Sequence, residues 1–169
     1  ACEKGGQWEK ALELFNSMEG RGVQPDVITF SATISACEKG GQWEKALDLL
    51  DSMENYGVQP NVITFNAAAS ACNKGKQWEM VLDLFDLMKD RAVTPDFSSF
   101  SAAISACSKC EQWEKALVLL YSMKDYGLQP HIRTFEAVVS ACGEGGQWEK
   151  ALDLRAVGEG ARAVQLDGG

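Results

Sequence analysis

The stretch VITFSATISACEKGGQWEKALDLLDSMENYGVQPN, Val27–Asn61, reads as two amphipathic helices followed by a stop. Phe30, Ile34 and Cys37 recur at i, i+4 and i+7, one face of a helix expected over about 27–39. Gly40 and Gly41 end it, as glycines just past a helix commonly do. A second helix is expected over about 42–55, with Trp43, Ala46, Leu47, Leu50 and Met53 on one face and Leu49 widening the stripe. Gly57 follows, and then Pro60, which cannot continue a helix. No part of the stretch alternates with period two, so the unit is a helix–turn–helix hairpin.

The same hairpin recurs through the chain. Tryptophan occurs at 8, 43, 78, 113 and 148 and proline at 25, 60, 95 and 130. Five of the six cysteines fall at 2, 37, 72, 107 and 142. Each series steps by 35 residues without insertion, and Val27–Asn61 matches Val62–Asp96 at 20 of 35 positions. A hairpin of this kind cannot bury its apolar face alone, so neighbouring copies must stack into one continuous core. The expected fold is all-α, a solenoid of stacked helical hairpins.

The units are a partial one at 1–26, full ones at 27–61, 62–96 and 97–131, and a partial one at 132–154. From Arg155 to Gly169 the chain reads RAVGEGARAVQLDGG and leaves the repeat pattern, which predicts a disordered tail. A chain that starts inside one unit and leaves the pattern inside another reads as a piece of a longer array.

Composition limits the function. Of 169 residues 46% are hydrophobic and 24% charged, ordinary for a folded chain. The longest uncharged stretches, such as Phe30–Cys37, are too short and too broken by Ser and Thr to span a membrane, so no membrane partner is expected. Six cysteines without a secretory leader do not make a secreted disulfide scaffold. The formal charge of −8 speaks against a simple basic nucleic-acid binder.

The period, together with Gly57-Val58-Gln59-Pro60-Asn61 running into Val62-Ile63-Thr64-Phe65-Asn66, resembles the pentatricopeptide repeat family. The run Ala46-Leu47-Asp48-Leu49-Leu50-Asp51-Ser52-Met53 is similar to that family's second-helix signature, and the likeness extends over 1–154. Tetratricopeptide repeats have period 34 and lack the Pro-Asp/Asn junction.

The resemblance implies a right-handed α-solenoid that binds single-stranded RNA, one base per repeat. It places base reading on the fifth and last residues of each unit: Ser31 with Asn61, Asn66 with Asp96, and Ser101 with His131. By the family's code the first pair favours adenine and the second uracil, while the third departs from the pattern and takes no assigned base. Asp26 closes a pair whose first member would precede Ala1. The second residue of each unit is the family's apolar wedge against the bases, a role that Ile28 and Ile63 fit and Ser98 and Arg133 do not. Lys39, Lys74 and Lys109, near the end of each first helix, are placed for phosphate contacts. The family implies a mitochondrial or chloroplast location and a role in RNA processing, stability or translation; no DNA binding is expected.

The remaining motifs have plainer readings. Glu44, Asp48, Asp51 and Glu54, with Glu79, Asp83 and Asp86 in the next unit, form a solvated face on the second helix, away from the groove that the family builds on the first. The tryptophans and the periodic cysteines share apolar faces and are expected to pack in the core. Cys107-Ser108-Lys109-Cys110 has the CxxC spacing, but Cys110 stands where other copies have Gly5, Gly40, Gly75 and Gly145, and no second pair completes a zinc site. His131 is the only histidine and has no catalytic constellation around it. Neither an enzyme nor a cofactor or metal is expected. The alternative function is a protein-interaction scaffold, favoured by the acidic surface and by Ser98, His131, Arg133 and Glu136, which depart from the RNA-reading pattern.

Overall fold

A computed structural model of the chain describes residues 6–144 together with Gly146 and Glu149. Within these lie eight α-helices and no strand: α1 (Gly6–Gly20), α2 (Val27–Lys39), α3 (Trp43–Asn55), α4 (Val62–Lys74), α5 (Trp78–Asp90), α6 (Phe97–Lys109), α7 (Trp113–Asp125) and α8 (Ile132–Glu144). The helix pair expected over 27–39 and 42–55 forms with one adjustment, since Gln42 precedes α3 as its N-cap residue. The expected second helix of the fifth unit and the tail from Arg155 lie outside the described residues.

Local chemistry sets the helix ends. Pro25, Pro60 and Pro95 stand two residues before α2, α4 and α6, and the Asp or Asn between caps the first turn. At the other end of α2, Gly41 takes φ +70° and the amide of Gln42 donates back to the Cys37 carbonyl at 2.9 Å. That left-handed turn satisfies carbonyls the last helical turn would otherwise leave open. Gly57 (φ +68°), with Val58 N–H donating to the Met53 carbonyl, repeats the device after α3.

The chain divides into two compact units, residues 1–95 and 96–169. In the first, α1 packs on α2, α2 on both α3 and α4, α3 on α4, and α4 on α5. Phe30, Ile34, Cys37, Phe65, Ala68, Ala71 and Cys72 from the first helices meet Ala46, Leu50, Met53, Val81 and Phe85 from the second, all buried. Phe30 lies edge-on between Phe15 and Tyr56, at centroid distances of 4.9 and 5.6 Å. Each such ring, fully withdrawn from water, contributes roughly 1.5–3 kcal/mol. Trp8, Trp43, Trp78 and Trp113 are half-buried. They pack as expected, but between hairpins: Trp8 lies against Gly40 and Trp43 against Gly75.

In the second unit α6 packs on α7 and α8, and α7 on α8. Phe100, Ala103, Ile104 and Cys107 form its core with Ala116, Leu119, Leu120, Met123, Val138 and Cys142.

In the first unit the acidic positions of the second helices face water. Glu44, Asp48, Asp51, Glu54, Glu79, Asp83 and Asp86 are all exposed. On α7 the register held by Asp48 and Asp51 in α3 carries Val118 and Tyr121 instead, both well exposed.

Candidate nucleic-acid interface

The residues that close each unit are helix caps. Asp26 accepts from the Thr29 amide and hydroxyl, both at 2.8 Å. Asn61 Oδ1 accepts from the Ile63 and Thr64 amides at 3.0 and 3.1 Å, while the Asn61 amide donates to Thr64 Oγ1 at 2.9 Å. Asp96 Oδ1 accepts from the Ser99 amide at 2.9 Å and the Asp96 amide donates to Ser99 Oγ at 3.2 Å. In His131 the backbone carbonyl alone starts α8, accepting from the Thr134 amide at 2.9 Å. The cap hydrogen bonds from Thr29 hold the Asp26 carboxyl below its ordinary range. For Asn61, a side-chain oxygen committed to the cap leaves the two N–H donors of Nδ2 for another partner.

The fifth residues sit one turn into the first helices. Ser31 is half-buried and its hydroxyl donates to the Val27 carbonyl at 2.7 Å. With its proton so placed, the Ser31 oxygen offers lone pairs. Asn66 and Ser101 occupy the same register on α4 and α6, also half-buried. Because α2 and α4 are packed neighbours running the same way, Ser31 and the Asn61 cap lie at corresponding ends of adjacent helices. The wedge residues are the exposed large apolar side chains of those two helices: Ile28 is 72% exposed and Ile63 59%. Ser98 and Arg133, in the same register of the second unit, are exposed polar groups.

The three lysines differ. Lys39 and Lys109 are exposed at the ends of α2 and α6. Lys74 is bonded to Glu38, its ammonium donating to Oε1 at 2.8 Å, and Ser70 Oγ donates to the same oxygen at 2.8 Å. Partial burial pushes the Glu38 carboxyl up, and the hydrogen bonds from Lys74 and Ser70 outweigh it and hold it below the usual range.

In the second unit Ser101, His131 and Arg133 line one open groove of about 670 Å³ with Phe97, Ile132 and Ser105. The His131 ring meets Phe97 edge to face at 4.6 Å between centroids. The sequence reading brought Ser101 and His131 together but gave Phe97 no role. Ser70 and Glu38 were missed as well. The recurrence of Ser35, Ser70, Ser105 and Ser140 at the repeat period was the available signal for the first. Glu38 leaves a weaker signal, since Glu3 shares its register but Asn73, Ser108 and Gly143 do not.

Among the described residues no three His, Cys, Asp or Glu side chains group as a metal site, and no helix is long and apolar enough to cross a membrane. Cys107 is buried and Cys110 half-buried at the end of α6.

Stacked helical hairpins with capped first helices define a helical-repeat protein. Residues 13–74 and 48–110 match the family described as Pentatricopeptide repeat domain, and residues 1–23, 98–128 and 133–155 match PPR repeat. The chain belongs to the pentatricopeptide repeat family. Solved structures agree on the fold, an all-α repeat solenoid. The pentatricopeptide repeat protein PPR10 from maize superposes with a TM-score of 0.71 at 23% identity over 83% of this chain. The PPR domain of Arabidopsis thaliana protein-only RNase P 1, in complex with tRNA, gives 0.74 at 21% identity over 92% of this chain and 84% of its own. Nuclear proteinaceous RNase P 2 from A. thaliana gives 0.78 at 14% identity over 92% of this chain and 35% of its own. The chain spans only 20% of the length of maize PPR10. A comparison with curated protein sequences returns no match.

Proposed function

We propose that the chain is a sequence-selective single-stranded RNA-binding module that acts in organellar RNA processing, stability or translation. One observation carries the reading: the first helices present paired polar groups whose free hydrogen-bonding capacity is already sorted. Ser31 has spent its proton on Val27, and Asn61 has spent its oxygen on the α4 cap. What remains is an acceptor on α2 and a donor at the start of the neighbouring α4. Adenine offers the complement, an amino donor beside a ring-nitrogen acceptor, and cytosine is the other base with that pattern. The family's pairing selects adenine here and assigns uracil to Asn66 with Asp96. Ile28 and Ile63 supply apolar surface against the flanking base faces. Structures of maize PPR10 with an 18-nt psaJ RNA element and of the protein-only RNase P 1 domain with tRNA support the same use of the fold. Family membership is the support for a mitochondrial or chloroplast setting.

The net charge of −8 does not oppose this reading at short range, because most of the acids lie on the second helices, whereas Lys39, Lys74 and Lys109 recur on the first. It does limit steering and affinity. Three complete reading pairs at about 1–3 kcal/mol of stacking each, less ordering costs, give micromolar binding.

Fluorescence anisotropy tests the proposal with a short RNA carrying an adenine–uracil core, a shuffled RNA and the DNA equivalent, at two salt concentrations. Tighter binding to the cognate RNA is expected. Absence of RNA binding at tens of micromolar contradicts it and favours the scaffold reading, for which exposed Val118 and Tyr121 on α7 are the specific support.

A further inference from the structure

Along the first helices three registers recur: a serine (Ser35, Ser70, Ser105, Ser140), a position three residues on, and a lysine after that (Lys39, Lys74, Lys109), replaced by Glu144 in the last copy. The middle register reads Glu3, Glu38, Asn73, Ser108 and Gly143, so a carboxylate stands beside the lysine row in the first two copies and in none of the next three. Its carboxylate reaches across to α4, where Ser70 Oγ and Lys74 Nζ both donate to Oε1 at 2.8 Å. A second, longer contact joins Lys74 Nζ to the Glu38 carbonyl at 3.4 Å.

A hydroxyl and an ammonium converging on one anionic oxygen is the coordination that a non-bridging phosphate oxygen takes. We propose that Ser70 and Lys74 form a seat for a phosphate of the RNA backbone, and that Glu38 fills this seat in the free protein. The inference rests on the RNA-binding reading above and adds two residues to it, Ser70 as a phosphate donor and Glu38 as the built-in competitor. The carboxylate opposes binding twice, by occupying both donors and by placing negative charge in the path of the backbone. The lock is reversible. The Lys74 side chain is 49% exposed and that of Glu38 21%, so solvent screens the pair, and exposed pairs of this kind are weak. The residue 36 positions before Lys109 is the uncharged Asn73, whereas Glu38 stands 36 before Lys74, so these two lysines of the row are not equivalent.

The experiment combines RNA titration with site-resolved lysine labelling. The parental chain, Glu38→Gln, Lys74→Ala, Lys109→Ala and the Glu38→Gln/Lys74→Ala double variant are titrated with the adenine–uracil RNA over a salt series. Circular dichroism checks that each variant is folded. Glu38→Gln is expected to tighten binding about fivefold at low salt, the worth of one exposed charge pair. Its log–log salt slope should steepen by roughly 0.7, one additional phosphate on a single strand. Lys74→Ala alone should change little where Lys109→Ala weakens binding, and in the double variant the gain from Glu38→Gln should vanish. Unchanged affinity and slope in Glu38→Gln overturns the proposal, as does a Lys74→Ala loss equal to that of Lys109→Ala. Amine acetylation read by mass spectrometry needs no RNA: Lys74 should label more slowly than Lys109 in the parental chain and at a similar rate in Glu38→Gln. Equal parental rates overturn the lock itself. Slow Lys74 labelling with RNA binding by no variant leaves the ion pair standing but overturns the RNA reading, and with it the phosphate as occupant.

Discussion

Trp43 rests on Gly75 so closely that a β-carbon there would overlap the indole Cδ1 and lie 2.8 Å from Cγ. Trp8 stands in the same relation to Gly40, where the Cγ distance would be 2.6 Å. The backbone of Gly75 (φ −77°) suits alanine, so the constraint is one of space. Gly75→Ala should therefore cost about 1–3 kcal/mol, the range for forcing extra volume into a packed site. Urea unfolding monitored by tryptophan fluorescence measures it, and Trp43→Leu in the same background should recover part of the loss. A Gly75→Ala protein as stable as the parent would contradict this packing.

The neighbouring turn position obeys the opposite rule. Gly41 and Gly57 have positive φ and open space around an added β-carbon, whereas Lys76, Ala92 and Glu111 hold the same left-handed turns at φ 59°, 56° and 56°. An L side chain in that region costs on the order of 1–2 kcal/mol, partly offset by glycine's greater chain entropy. Ala92→Gly should raise stability by up to about 1 kcal/mol. Gly57→Ala should lower it by a similar amount. Parallel thermal melts of the two variants check the signs, and Ala92→Gly below the parent would be the contrary result.

These two glycine rules show what was legible in the sequence. Spacing within one hairpin gave α2 to the residue, because Phe30, Ile34 and Cys37 mark its face and Asp26 and Gly40 flank its ends. The contacts that join hairpins were harder to read. Trp43 meets Gly75 across 32 residues and Glu38 meets Lys74 across 36, and helical periodicity carries no information about such partners. The constant offset of Trp8 from Gly40 and Trp43 from Gly75 was present in the sequence, but only packing turns the coincidence into a reason. At the candidate interface the residue types were legible and their committed hydrogen bonds were not. Nothing in the letters for Ser31 and Asn61 says which lone pairs and protons the helices have already taken.

Acid should weaken the first unit through two carboxylates. The hydrogen bonds from Thr29 lower the Asp26 carboxyl below 3.8, and Glu38, pushed up by burial, is held below 4.5 by Lys74 and Ser70. A group depressed on folding contributes stability that is complete above its unfolded value and is lost as pH falls through the folded one. Melting temperature should thus hold steady from pH 7 to about 5 and fall below about 4. Asp26→Asn, which keeps the cap acceptor without the titration, should flatten part of that fall. Identical profiles for the two proteins would contradict the assignment to Asp26.

Thiol reactivity should follow burial. Desolvation raises the Cys72 thiol to about 11 and pushes Cys37 up as well, while Cys110 is only half-buried. The thiolate is the nucleophile, so in native buffer at pH 7.5 iodoacetamide should modify Cys110 well before Cys37 or Cys72. Mass spectrometry of tryptic peptides gives the order, and denaturant should equalise the rates. Cys72 labelling in step with Cys110 in the folded chain would contradict the buried placement.

The central claim is that an acceptor on Ser31 and a donor on Asn61 read one base. Asn61→Asp keeps the side-chain oxygen that caps α4 and, since Asp and Asn cap equally well, should leave the melting temperature nearly unchanged. It replaces the donor with a second acceptor, whose complement is the pair of N–H donors on the Watson–Crick edge of guanine. The direct measurement is anisotropy of the parental and Asn61→Asp proteins against RNAs differing only by adenine or guanine at the position read by this pair. The account predicts that the parent prefers adenine and Asn61→Asp prefers guanine, at equal stability. The same base order for both proteins would contradict it.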